Sequence, residues 1–148
     1  MRAALVAALV VAALVPVGSE AATRCAPTRS DALGPFYEAG APVRSRVGRG
    51  YVLTGRVVDS RCRAIRRARV ELWLANPDGQ YDDAHRATVF SGPRGGYRFE
   101  SNRPPSYSGR PPHIHLRITA RGFRTLVTQH YPRAGRSTAA FNIVLRRT

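Results

Sequence analysis

Apolar and polar residues alternate in short runs along most of this chain, and beyond residue 21 no helical period is sustained. Tyr51–Asp59 predicts a strand, with Val52, Leu53, Val57 and Val58 apolar and Gly55 as an interruption. Residues 68–76 predict the next strand. Its side chains alternate, so Val70, Leu72 and Leu74 share one face and Arg69, Glu71 and Trp73 the other. Asn76-Pro77-Asp78-Gly79 marks a turn. Residues 80–95 have no clear period and read as irregular. Residues 96–100 form a short strand. Residues 102–112 hold Pro104, Pro105, Pro111 and Pro112 and read as a stiff loop. Residues 113–119, 125–129 and 141–145 complete the set. Short strands between Gly/Pro turns predict an all-β protein, a single small β-sandwich over residues 51–148.

The N-terminal apolar block does not fit that fold. Arg2 precedes an unbroken apolar run, residues 3–15, followed by Pro16 and by Ser19 and Ala21 at the small positions of a cleavage site. This is the layout of a secretory signal peptide over residues 1–21. The run is shorter than the roughly 20 residues of a membrane span, so no span is expected after cleavage. Secretion follows as the expected localisation. Residues 22–50, rich in Ala, Pro, Gly and Arg, read as an extended lead-in. In an exported chain, two cysteines read as one disulfide, Cys25–Cys62.

Length and charge narrow the function. At 148 residues the chain excludes a large multidomain enzyme. Its formal charge is +15, and all 24 basic residues are arginine, densest over 61–69. No helix-turn-helix, zinc-finger or RNA-binding signature accompanies them, so no specific nucleic-acid partner is expected. Attraction to acidic surfaces or substrates is the simpler consequence.

Candidate chemistry begins at His113-Ile114-His115. On a strand these imidazoles aim at one site while Ile114, Leu116 and Ile118 face the core. Two such imidazoles suit a transition metal, although H-x-H alone is also an ordinary strand pair. Two histidines and a carboxylate would make a common iron site, but Glu100 is the last acid in the chain. Tyrosine is the remaining anionic oxygen donor. Tyr107 ends the proline loop, and Tyr81 follows the Asn-Pro-Asp-Gly turn. Taken alone, each also reads as a core or surface aromatic. Two phenolates and a hydroxide would balance a 3+ ion, which favours ferric iron over zinc. His85 and His130 read as surface or supporting residues, Trp73 as core or pocket wall, and Tyr37 and Tyr131 mainly as packing residues near the substrate mouth.

These blocks resemble the intradiol ring-cleavage dioxygenases, the family of catechol and protocatechuate dioxygenases. Gly34-Pro35-Phe36-Tyr37 is similar to the family's entry motif, and residues 55–59 and 68–76 to its first hairpin. Gly79-Gln80-Tyr81, the Tyr107-to-His115 block and residues 125–131 follow in the family's order. The resemblance implies a prealbumin-like sandwich and an Fe(III) ion held by Tyr81, Tyr107, His113 and His115. It implies catalytic roles for Tyr107 as a base, Arg110 as a stabiliser of negative charge on the ring, and Gln129 as an orienting hydrogen-bonder. The implied reaction cleaves a small catechol-type substrate with O2 between its hydroxylated carbons to a cis,cis-muconate. The chain departs from the family in three ways: it has no room for an N-terminal helical dimerisation region, its Tyr81-to-Tyr107 segment is compressed, and Gly92 stands where an Asp is usual. The alternative is a non-catalytic prealbumin-like module that binds carbohydrate or acidic surfaces; it has no reason to hold the Tyr/Tyr/His/His set.

Overall fold

The computed structural model describes residues 24–148, and the expected signal peptide lies outside the described residues. Eight strands form two four-stranded sheets: β1 (Tyr51–Asp59), β2 (Arg69–Trp73), β3 (Arg86–Phe90), β4 (Gly96–Ser101), β5 (Ile114–Thr119), β6 (Leu126–His130), β7 (Thr138–Ala140) and β8 (Ile143–Leu145). One sheet runs β3-β2-β5-β6. In the other, β1 pairs antiparallel with β4 and, along its other edge, parallel with β7 and then β8. The all-β sandwich is therefore as expected. Among the described residues no helix is long and apolar enough to cross a membrane.

Alternation along β1, β2 and β5 builds the core. Leu53 and Val57 of β1 meet Val70 and Leu72 of β2 and Ile114, Leu116 and Ile118 of β5, all fully buried. Gly55 marks the point where β1 passes from β7 to β8. The Phe141 carbonyl lies where a Cβ would stand, so only glycine fits.

Two strands escape the sequence pattern. Residues 80–95 are not irregular throughout: a 3₁₀ turn at Asp83–His85 leads into β3. β3 pairs with β2 along its full length, and its first four residues are all buried, so it has no alternation to read. β7 has only three residues.

His130 is not a surface residue. It is 9% exposed, shares a 2.7 Å hydrogen bond between its Nε2 and the Tyr51 hydroxyl, and packs on Phe141. Burial pushes its pKa down to about 4. His85, by contrast, is half-buried on the surface and bonded to Asp82.

The lead-in does more than connect. Thr28 N–H donates to the Val144 carbonyl and Asp31 N–H to the Val127 carbonyl, so the segment lies against both β8 and β6. The expected disulfide pins its start: Cys25 is bonded to Cys62 in the turn after β1.

Two outcomes follow for stability. Breaking Cys25–Cys62, which spans 37 positions, should lower unfolding free energy by about 3–4 kcal/mol in urea titrations. An unchanged midpoint under reductant would contradict this. His130 is depressed from 6.5, so its neutral form contributes stability that is full above pH 6.5 and is lost as pH falls through about 4. His130→Gln should flatten that part of the stability–pH curve; a curve parallel to wild type would assign the acid sensitivity elsewhere.

Candidate metal centre

One register row carries the centre. Trp73 on β2, His115 on β5 and Gln129 on β6 lie directly opposite one another, so their side chains share a face. Because Leu72, Leu116 and Ile114 are in the sandwich core, this row is on the outer face of its sheet. It is nevertheless buried: Trp73, His115 and Gln129 are 3%, 2% and 5% exposed. The lead-in covers it.

His113 stands just before β5, on the same face as His115. The two Nε2 atoms are 3.1 Å apart, and the Tyr81 hydroxyl lies 3.2 Å from each. The His113 Nδ1–H donates to the Pro111 carbonyl at 2.8 Å, which leaves the Nε2 lone pair directed at the cluster. His115 stacks on Trp73 with centroids 4.9 Å apart and planes 4° apart. Its buried Nδ1 makes no hydrogen bond of good geometry, although the Ala32 carbonyl lies close enough to act on the ring. Burial, then the neighbouring His113 and Arg110, push the His115 pKa down to about 4; the Ala32 carbonyl and Asp31 act in the opposite sense. The ring is therefore neutral near pH 7.

Tyr81 is held from the other side. Phe36 of the lead-in stacks on it at 4.3 Å, and Tyr107 meets it edge-on at 5.6 Å. Burial pushes the Tyr81 pKa up to about 12, with Arg110 opposing and Tyr107 adding to the rise. Tyr107 is part-exposed in a tight turn closed by its own backbone bonds to Arg110. Its ring joins the cluster, but its hydroxyl makes no hydrogen bond to either histidine.

The donor set fits a metal ion. One phenol proton can satisfy one of two facing nitrogens, whereas a cation would satisfy both nitrogens and the oxygen. Donors about 2.0–2.1 Å from one ion and roughly at right angles are about 3 Å apart, close to the spacing here. Among the described residues no group of three or more His, Cys, Asp or Glu could hold a metal. Phenolate is thus the anionic donor available.

Arg110 faces this cluster from a fixed position. Its guanidinium donates to Gln129 Oε1 at 2.7 Å, and the Gln129 amide donates to the Ala32 carbonyl at 2.6 Å. Gln129 thus uses both ends of its amide on the protein and holds Arg110 in place. Tyr131 is part of this network rather than simple packing: its hydroxyl lies 2.9 Å from Gln129 Oε1 and 2.8 Å from Asp31 Oδ2. Asp31 is exposed; its limited desolvation raises the carboxyl pKa, but the Ala32 N–H, Tyr131 and Arg110 outweigh it and hold the carboxyl below the usual range. Tyr37 packs on Trp73 and reaches Glu71.

Comparison with known proteins agrees with this geometry. The sequence model of the Dioxygenase_C family, described as dioxygenase, matches residues 38–144. The chain belongs to this family. It is 34% identical over 134 residues to hydroxyquinol 1,2-dioxygenase of Nocardioides simplex, covering 68% of this chain and 46% of the relative. It is 29% identical over 141 residues to catechol 1,2-dioxygenase of Candida albicans, covering 70% of this chain and 46% of that one. The chain spans about half the length of the curated relatives it matches. Among solved structures, the dioxygenase domain of a dioxygenase carbohydrate-binding protein fusion from Streptomyces sp. SirexAA-E superposes with a TM-score of 0.76 at 25% identity, over 83% of this chain and all of that one. Hydroxyquinol 1,2-dioxygenase of Pseudomonas putida DLL-E4 shares the fold, with a TM-score of 0.73 at 18% identity over 82% of this chain and 67% of that one.

For a member of this family, the lead-in contributes more than its sequence suggested. Ala32, Gly34 and Phe36 form the wall against His115 and Tyr81, and only the Gly34-to-Tyr37 motif hinted at it. Gly34 has φ +72°, and a Cβ there would lie 3.0 Å from His115 Cε1. Gly34→Ala should therefore cost about 1–2 kcal/mol in urea unfolding and weaken metal binding at least about tenfold by displacing the ring. Metal affinity equal to wild type would show that His115 does not depend on this wall.

Proposed function

We propose that the protein is a secreted non-haem ferric dioxygenase that cleaves catechol-type rings between the two hydroxylated carbons. The convergence of His113 Nε2, His115 Nε2 and the Tyr81 oxygen within 3.1–3.2 Å, with Tyr107 beside them, carries this reading. These four residues would hold the iron. When bound, a ferric ion would supply Lewis acidity toward the catechol oxygens and make the ring carbon reactive toward O2. One catechol and one O2 give one cis,cis-muconic acid, with both oxygen atoms retained and the bond between the hydroxylated carbons broken.

The protein's own groups prepare that chemistry. The neutral His115 imidazole offers a lone pair without a competing proton. His113 keeps its lone pair directed by donating from Nδ1 to Pro111. Tyr107, part-exposed and free of the histidines, is the base placed to accept a catechol proton. The Arg110 guanidinium, fixed by Gln129, stands where negative charge develops on the ring. Trp73 and Phe36 keep His115 and Tyr81 in place and exclude water from one side.

Export rests on separate support. The N-terminal pattern is that of a cleavable leader. A disulfide suits an oxidising compartment. Extracellular aromatic compounds with vicinal hydroxyls are the corresponding substrate class.

Iron-loaded protein should consume one O2 per catechol and form the ring-opened diacid, followed by an oxygen electrode and product mass. Arg110→Gln should lower kcat by about 10²–10³ while iron stays bound. Iron-loaded protein that leaves catechol, chlorocatechol and hydroxyquinol intact would contradict the assignment.

A further inference from the structure

The charge is concentrated at the opposite end of the sandwich from the metal centre. The strand registers put Trp73, His115 and Gln129 near one end of their sheet and Arg69, Thr119 and Leu126 at the other. Four stretches meet at that far end: residues 60–69, 91–95, 120–125 and 146–148. The Arg67 N–H donates to the Ser91 carbonyl at 2.8 Å and the Arg124 N–H to the Arg146 carbonyl at 2.9 Å, while Arg69 lies opposite Thr119 and Arg147 reaches Asp59 beside the first stretch, so the four stretches adjoin as one surface. Together they hold ten arginines and no Asp or Glu.

Most of this charge is uncompensated. Arg63 and Arg147 reach Asp59 at 2.8 and 3.7 Å, and Arg69 reaches Glu71 at 3.3 Å. Arg66, Arg67, Arg94, Arg121, Arg124 and Arg146 are exposed and form no ion pair among the described residues. Arg67 sits at φ +56°, in the left-handed region that glycine would occupy without strain. The lead-in extends the basic surface. A cleft of about 460 Å³ is lined by Arg29, Arg124 and Arg146, and an adjoining one of about 600 Å³ by Arg24 and Arg61, with Pro27 common to both. Neither is lined by an acid. At the other end, residues 31–40, 74–85, 102–112 and 131–137 carry four arginines and five acids.

We propose that this arginine pole is a docking surface for a carboxylate-bearing polysaccharide, which would seat the protein with its metal centre facing away from the polymer. Guanidinium groups match carboxylates bidentately. A single exposed pair contributes little, but a contiguous surface facing a polyanion gains from every counterion released. The pole lacks what a nucleic acid would use. All tyrosines and the tryptophan lie outside the four stretches. Phe123 is the one aromatic within them, and the Arg147 guanidinium covers it at 5.0 Å. At the margin of the pole Phe90 is exposed opposite Arg69, a single ring rather than a row of platforms for successive bases.

Binding of the disulfide-bonded protein to polygalacturonate, to fully methyl-esterified polygalacturonate and to duplex DNA tests this without reference to catalysis. Polygalacturonate should bind, should lose affinity at least about tenfold between 50 and 200 mM salt, and should outcompete DNA, while the ester should not bind. Arg66→Gln/Arg67→Gln and, separately, Arg121→Gln/Arg124→Gln should each weaken binding about tenfold, and Arg133→Gln/Arg136→Gln at the other end less than about twofold. Two independent pole variants, each checked by circular dichroism, separate lost contacts from lost folding. Equal binding of the ester, tighter binding to DNA, or equal loss in the Arg133/Arg136 variant would each overturn the proposal.

Discussion

Alternation along β5 is the constraint on which the rest of the structure depends. Ile114, Leu116 and Ile118 point into the sandwich and are fully buried. His115 and Arg117 point the other way, and His113 joins their face. A one-residue slip in register would exchange the two sets, placing imidazoles in the apolar core and isoleucines at the site. The core therefore specifies the candidate metal centre: the same contacts that stabilise the sheet set the direction of both histidines. The neighbouring strands fix the register, and they supply Trp73 and Gln129 directly opposite His115.

An outer sheet face is normally wet. Here the lead-in encloses it, held by the Cys25–Cys62 bond, by backbone bonds to β8, β6 and β3, by the Gln129 amide on the Ala32 carbonyl and by Arg86 on the Phe36 carbonyl. Enclosure gives the site its electrostatics. Burial is the leading cause of the low His115 pKa and of the high Tyr81 pKa. Both groups are thereby neutral, and a cation bound between them would have to displace the Tyr81 proton. Arg110 favours that ionisation. The Asp31–Tyr131–Gln129 network holds it beside the cluster rather than in solvent.

Much of this was legible in the sequence, for identifiable reasons. β1 and β5 have one face in the core, so alternation marked them and put both histidines on one face. The scarcity of acids after Glu100 pointed to tyrosine as the anionic donor. β3 was hidden because both its faces are covered, and β7 because three residues carry no period. The role of Gly34 and Phe36 was not legible from local pattern, since their contacts to His115 and Tyr81 are made by a segment remote in sequence. The basic turn at 61–69 was visible, but its union with three other turns into one pole is a property of the topology.

On the proposed reading, Tyr81, Tyr107, His113 and His115 together would hold one ferric ion. Titration of the metal-free protein with Fe(III), followed in the visible, tests it most directly. The account predicts a tyrosinate-to-iron charge-transfer band that saturates at one equivalent, weakens and shifts in Tyr81→Phe and in Tyr107→Phe, and is lost in His113→Ala/His115→Ala. A protein that stays colourless, or a band unchanged in both tyrosine variants, would contradict it.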